Sequence, residues 1–127
     1  MVAAIAGQQQ SSTPSRKNKY NNTKTADGFD SKKEADYFAH LQLLKNVADP
    51  DVQVIKIERQ VAYELIPAQY DCNGRLLERA CRYFADFRVT RASGKVDVID
   101  TKGVRTSEYR IKRKLMLSVH GIRVMEV

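Results

Sequence analysis

The stretch KVDVIDTKGVRTSEYRIKRKLMLSVHGIRVMEV, residues 95–127, decides the fold. Its first residues alternate. Val96, Val98, Asp100 and Lys102 fall on one face of an extended chain, and Asp97, Ile99 and Thr101 fall on the other. A strand is expected from Lys95 to about Lys102, closed by Gly103. Thr106 or Ser107 then caps a helix that runs to about His120, with Gly121 as its stop signal. Residues 122–127 form a short final strand. Strand, helix and strand joined by tight loops imply a parallel pair with a right-handed crossover.

Working upstream, Ser93-Gly94 makes a turn, and a long strand is expected over roughly residues 79–90. Asn73-Gly74 is a hairpin signal, because both residues tolerate positive φ. From Val54 to Ile66 the pattern has period two. Ile55, Ile57, Val61, Tyr63 and Leu65 share one face; Lys56, Glu58, Gln60 and Glu64 share the other. Arg59 interrupts the apolar series and marks a bulge or an edge. A first helix starts at Asp30 or Ser31 and runs to about Val47, with Pro50 just beyond it. Its apolar stripe is Tyr37, Phe38, Leu41 and Leu44. The order is helix, three largely antiparallel strands, helix, strand: an α/β sandwich around a mixed sheet.

Residues 8–24 contain one aromatic and no apolar period, too little to offset their own ordering entropy. Residues 1–24 read as a flexible basic arm, and residues 25–127 as the domain. Within the arm, Arg16, Lys17, Lys19 and Lys24 are either phosphate contacts or part of a solvated tail.

The 127 residues suit one domain, and 43% hydrophobic with 29% charged residues excludes wholesale disorder. The net charge of +7 favours a polyanionic partner, of which nucleic acid is the commonest. No apolar run approaches a membrane span, and Met1–Ala6 lacks the basic start of a signal peptide. Cys72 and Cys81 form neither a metal-ligand pattern nor a disulfide framework, which fits a reduced intracellular setting.

Several residues do not fit a pure core. Asp100 and Lys102 follow two valines on one strand face, as either a functional pair or a salt bridge at a frayed end. Asp86 lies in the aromatic segment Tyr83-Phe84-Ala85-Asp86-Phe87, on a face shared with Arg82, Phe84 and Arg88. It either pairs with an arginine or faces Asp100 across the hairpin. Glu34 completes a Ser31-x-x-Glu34 capping box if Ser31 is the cap. If Asp30 is the cap, Glu34 is free to point into a site. Carboxylates converging here would take up protons or hold a divalent cation, and hard oxygen ligands suit Mg²⁺ or Mn²⁺.

On the second helix, Arg110, Arg113 and Lys114 form one stripe, and Ile111, Leu115, Met116 and Val119 the buried side. The stripe is either a solvated face or a phosphate track. Lys112 falls within the apolar side. It either pairs with Glu108 at i,i+4 or reaches toward the Asp100 strand.

Asp86 followed by Asp100-Thr101-Lys102, with Glu34 on a preceding helix, resembles the PD-(D/E)xK nuclease superfamily. Lys19-Tyr20-Asn21-Asn22, Phe29-Asp30-Ser31-Lys32-Lys33-Glu34-Ala35, Ala85-Asp86-Phe87 and Asp100-Thr101-Lys102-Gly103 are similar to its phage and prophage branch. That branch is described as recombination endonuclease-like or Holliday-junction-resolvase-like. The likeness covers roughly residues 19–127. Ala85 stands where the motif has proline, and the motif's second acid is Asp100 in place of the commoner glutamate.

The resemblance implies a restriction-endonuclease-like core and Mg²⁺- or Mn²⁺-dependent hydrolysis of DNA phosphodiesters. It implies Glu34, Asp86, Asp100 and the Thr101 carbonyl as metal ligands. It implies Lys102 as the catalytic lysine and Lys112 as a polar site position. The DNA contacts would be Arg16, Lys17, Lys19, Lys24, Lys32, Lys33, Arg105, Arg110, Arg113 and Lys114. Branched DNA is the expected substrate and a homodimer the expected assembly. The expected setting is the cytoplasm of a phage-infected or prophage-carrying bacterium. Two alternatives stand beside it: a nuclease for nicked or flap DNA, and a non-catalytic nucleic-acid-binding protein on a nuclease-like scaffold.

Overall fold

The computed structural model describes residues 28–29 and 31–127. Asp30 and the basic arm, with Arg16, Lys17, Lys19 and Lys24, lie outside the described residues.

Helix α1 spans Lys32–Leu43 and tightens into a 3-10 turn over Leu44–Asn46. Its N-cap is Ser31, whose hydroxyl accepts from the Glu34 amide at 3.1 Å. Strand β1 (Val54–Ile66) is followed by a small antiparallel hairpin, β2 (Gln69–Tyr70) and β3 (Leu76–Glu78). Asn73-Gly74 turns this side hairpin, Gly74 taking φ 78°. The long strands β1 and β4 thus diverge into an intervening hairpin before they pair. Strand β4 (Cys81–Arg91) and strand β5 (Val96–Asp100) follow, then helix α2 (Ser107–His120) and strand β6 (Met125–Glu126).

The main sheet has the order β1-β4-β5-β6. β1 and β5 run antiparallel to β4, and β6 runs parallel to β5, with α2 as the crossover. The chain is therefore a mixed α/β fold with a mixed sheet and two helices. Thr106 caps α2 by accepting from the Tyr109 amide, and Gly121 ends it in the left-handed region at φ 67°. An L side chain at Gly121 would be strained there, which is why this stop signal is legible. Among the described residues no helix is long and apolar enough to cross a membrane.

Each helix covers one face of the sheet. Under α1, Leu41 packs with Phe29, Val54, Phe87, Val89 and Ile99; Tyr37, Phe38 and Leu44 join it as the stripe predicts. Under α2, Tyr109 and Met116 pack with Leu65, Tyr83, Ala85, Val98 and Val124. Val98 and Ile99 are consecutive on β5, so these two clusters lie on opposite faces.

The odd-numbered residues of β4 from Tyr83 onward are all buried, yet they divide between the faces. Tyr83 and Ala85 lie under α2, and Phe87 and Val89 under α1. The partner strand does the same: Ile57 lies under α1, and Tyr63 and Leu65 under α2. The crossing falls between the pairs Arg59–Phe87 and Val61–Ala85. Gln60 sits between them at φ 51°, a left-handed residue inside a strand. Such a residue cannot continue the pleat's alternation.

Two expectations are corrected here. The apolar residues of β1 do not share one face: Ile57 lies under α1, and Tyr63 and Leu65 under α2. Ile55 leaves the series too: the register slips between Val54 and Lys56, so Ile55 bulges out and is 59% exposed. Of the two readings of Arg59 the edge holds: β1 is the edge strand of the sheet, and the Arg59 guanidinium lies 3.7 Å from the Phe29 ring centre, closing the apolar face as a cation–π lid. On α2, Leu115 and Met116 face the core with Tyr109 as expected, but Ile111 and Val119 are exposed, and Lys112 and Arg113 are half-buried. The large Tyr109 and Met116, seven residues apart, set the helix phase.

One buried ion pair is structural. Arg91 and Asp97 are each 8% exposed, with the Arg91 Nε donating to Asp97 at 3.1 Å and another guanidinium N–H donating to the Val52 carbonyl at 2.8 Å. It fastens the β4–β5 turn to the chain entering β1.

Candidate active site

Asp86 and Asp100 lie one step beyond the Phe87–Ile99 pair on neighbouring strands. The sheet itself brings the two carboxylates together. Asp86 is fixed by its neighbours: its Oδ2 accepts from both the Thr101 amide and the Thr101 hydroxyl, each at 2.8 Å. Asp100 is 1% exposed. Its Oδ2 accepts from the Tyr83 hydroxyl at 2.5 Å. Its Oδ1 is buried with no hydrogen-bond partner among the described residues. The Lys102 ammonium stands 4.0 Å from that oxygen and 5.2 Å from the centre of the Tyr109 ring.

A buried, incompletely paired carboxylate resists ionisation. Burial pushes the Asp100 carboxyl up to about 6, and the Asp86 charge adds to this. The Tyr83 hydrogen bond and the Lys102 charge work in the opposite direction. The Tyr83 phenol is in turn pushed far up, first by burial and then by the carboxylate it serves.

Glu34 is 2% exposed and enters from α1. Both readings of it hold in part: Ser31 is the cap, and the Glu34 side chain nevertheless turns to the sheet. Its Oε1 accepts from the Gln60 amide nitrogen at 3.1 Å. The same nitrogen lies 3.3 Å from Asp86 Oδ1. Glu34 is therefore joined to the aspartate pair through one carboxamide. Among the described residues no group of three or more His, Cys, Asp or Glu side chains is gathered closely enough to hold a metal ion. The three carboxylates expected to converge are a pair plus a third held one amide away.

The remaining candidates divide. Lys102 is at the site. Thr101 acts through its amide and hydroxyl as the donor that orients Asp86. Lys112 ion-pairs with Glu108 at 3.1 Å, the i,i+4 alternative. Lys32 and Lys33 are exposed on the first turn of α1, and Lys33 donates to the Lys102 carbonyl at 3.4 Å, tying that turn to the site. Arg110 and Lys114 are exposed on α2. Arg113 is not part of their solvated stripe: it donates to Glu126 at 2.6 Å, where Arg105 also pairs at 2.5 Å. Glu126 is held below the usual carboxylate range, chiefly by the Arg113 hydrogen bond. Arg105, Arg113, Lys114 and Arg123 surround it in a cleft of about 820 Å³ between α2 and β6. The cations of that cleft outnumber its one carboxylate.

Two site residues escaped the sequence reading. Tyr83 looked like one of several strand aromatics; only the β4–β5 register sets it against Asp100. Gln60 is exposed, as its place on the polar face of β1 predicts, but no residue type in its neighbourhood signals a left-handed backbone.

The donor set fits a hard divalent cation. Asp86 and Asp100 offer adjacent carboxylate oxygens, and the Asp100 Oδ1 is buried without a hydrogen bond. Nitrogen and sulfur ligands are absent from these positions.

The family of proteins of unknown function designated DUF1064 matches residues 17–124, and the chain belongs to it. Comparison with curated proteins and with solved structures returns no match.

Proposed function

We propose that this chain is a Mg²⁺- or Mn²⁺-dependent DNA endonuclease with a restriction-endonuclease-like core, acting on branched DNA as a homodimer. The observation that carries the reading is the Asp86–Asp100 pair, whose buried Asp100 Oδ1 has no hydrogen bond among the described residues and only the Lys102 ammonium 4.0 Å away. A buried carboxylate oxygen without a donor is costly for stability alone. It is accounted for if a cation is its missing partner.

The roles follow from position. Asp86 and Asp100 bind the cation, which when bound supplies Lewis-acid charge and lowers the pKa of water. Tyr83 holds one oxygen of Asp100 and thereby fixes the rotation of the carboxylate, leaving the other without a hydrogen bond beside Lys102. Thr101 does the same for Asp86 with two donors. Lys102, 40% exposed at its side chain, can meet a phosphate oxygen from the solvent side and stabilise the charge that develops as the P–O bond breaks. The exposed Lys32 and Lys33 and the basic cleft beside α2 supply further phosphate contacts.

The test is cleavage of duplex and branched DNA by the wild type, Asp86→Asn and Lys102→Ala chains. The expected result is metal-dependent cutting by the wild type, none by Asp86→Asn with binding kept or tightened, and slow cutting by Lys102→Ala. Wild-type binding without cutting in either metal would favour a non-catalytic nucleic-acid-binding protein. Cutting only of nicked or flap DNA would move the substrate while keeping the chemistry.

A further inference from the structure

We infer that Gln60 is a positioning residue of the metal site, holding Glu34 and Asp86 together through one carboxamide; the inference rests on the metal reading above.

The geometry is specific. Gln60 stands between the register pairs Arg59–Phe87 and Val61–Ala85, so its backbone faces Asp86 across the β1–β4 ladder. Its single amide nitrogen reaches Glu34 Oε1 at 3.1 Å and Asp86 Oδ1 at 3.3 Å. A primary amide has two N–H bonds, one for each carboxylate. Glu34 comes from α1 and Asp86 from the sheet, so this contact ties a helix to the strand that carries the motif.

The chemistry of the side chain matters. Two carboxylates brought near one another repel. A lysine or arginine between them would relieve the repulsion but cancel the charge that a cation needs. A glutamate would add to the repulsion. A glutamine holds both acids with donors and leaves their negative charge intact. Partners of this kind fix the orientation of metal ligands, and losing one typically weakens metal affinity by about 10–100-fold.

The backbone supplies an independent observation. Gln60 is the one non-glycine residue with positive φ among the described residues, at 51°. Strain of this kind persists where the surroundings over-determine it, and it concentrates at functional sites. Here the left-handed residue lies where the strand's inward side chains change faces. Glycine would make that crossing without strain. A glutamine there keeps the crossing and adds the amide.

The experiment compares the wild-type chain with Gln60→Gly, Gln60→Ala and Gln60→Glu. Mn²⁺ affinity is read by calorimetry without DNA, and stability by urea unfolding with chelator present. Gln60→Gly is the decisive variant, because it removes the amide while easing the backbone. It is expected to unfold at the same or a higher urea concentration than the wild type and to bind Mn²⁺ about ten-fold more weakly. Gln60→Ala should lose affinity similarly and also lose stability. Gln60→Glu should lower stability in chelator by repulsion. Wild-type Mn²⁺ affinity in Gln60→Gly would overturn the inference while leaving the metal site standing. No Mn²⁺ binding by the wild type would overturn the metal reading, and this inference with it.

Discussion

Replacing Asp100 with asparagine should stabilise the cation-free protein at neutral pH. Asp100 is 1% exposed, and its carboxyl is raised from 3.8 to about 6, by burial first and then, against two opposing contacts, by the Asp86 charge. A group whose folded pKa lies above its unfolded value favours folding while it is protonated. That contribution is complete below about pH 4 and is lost as pH rises through about 6. Roughly two pKa units at about 1.4 kcal/mol each give about 3 kcal/mol lost over this window. Asp100→Asn keeps the acceptor for Tyr83 and removes the titration. Urea unfolding in chelator at pH 4.5, 5.5, 6.5 and 7.5 reads the difference directly. The wild type should weaken across the series beyond the drift of the variant, and the variant should be about 1–3 kcal/mol more stable at pH 7.5. Equal stabilities at pH 7.5, with parallel pH dependence, would refute the argument that Asp100 is held as a costly buried charge.

Tyr83→Phe removes the donor to Asp100 Oδ2; the pH at which the wild-type stability falls should move upward, seen in the same unfolding series, and an unmoved midpoint would dissociate the two residues. Arg91→Ala strands the buried Asp97 and should cost about 3–5 kcal/mol, whereas Arg91→Met with Asp97→Leu should cost much less, both read from urea midpoints. Glu126→Ala frees Arg105 and Arg113 from their shared carboxylate, so DNA binding should tighten at low salt and its logarithmic salt slope should steepen by about one. An unchanged slope in filter binding or anisotropy would place that cleft outside the DNA path.

The second half of the fold was legible because its signals are local. Thr106 caps α2 and Gly121 ends it, as their side chain and its absence require, and the parallel crossover follows from strand, helix and strand in tight succession. The first helix was legible from Ser31 and the Leu41 stripe. The strand interior was not. Period-two reasoning assumes that every strand residue keeps the pleat, and Gln60 does not. Nothing about glutamine favours positive φ, and both β1 and β4 change faces at this point, so that Ile57 and the pair Tyr63 and Leu65 end up on opposite sides. The bulge at Ile55 is similar: an isoleucine between polar neighbours reads as inward until the register with β4 is known.

The site shows the same division. Asp86, Asp100 and Lys102 stood out as charges in apolar strands, and Glu34 as an acid at the end of an apolar stripe. The residues that organise them, Tyr83 and Gln60, carry no anomaly of their own. Tyr83 becomes informative through its hydrogen bond to a residue 17 positions away, and Gln60 through contacts to residues 26 positions away on either side. Lys112 and Arg113 illustrate the converse. Helical spacing placed them near the site or the solvent, and two acids, Glu108 and Glu126, claim them instead.

The most direct measurement is cleavage of a labelled four-way junction and of a linear duplex of matching sequence, each with Mg²⁺ and with chelator, beside the Asp100→Asn chain. Paired symmetric nicks in the junction, dependent on Mg²⁺ and absent from Asp100→Asn, are the predicted result. Tight binding to both DNAs with no cutting in Mg²⁺ or Mn²⁺, or cutting that persists in Asp100→Asn, would contradict it.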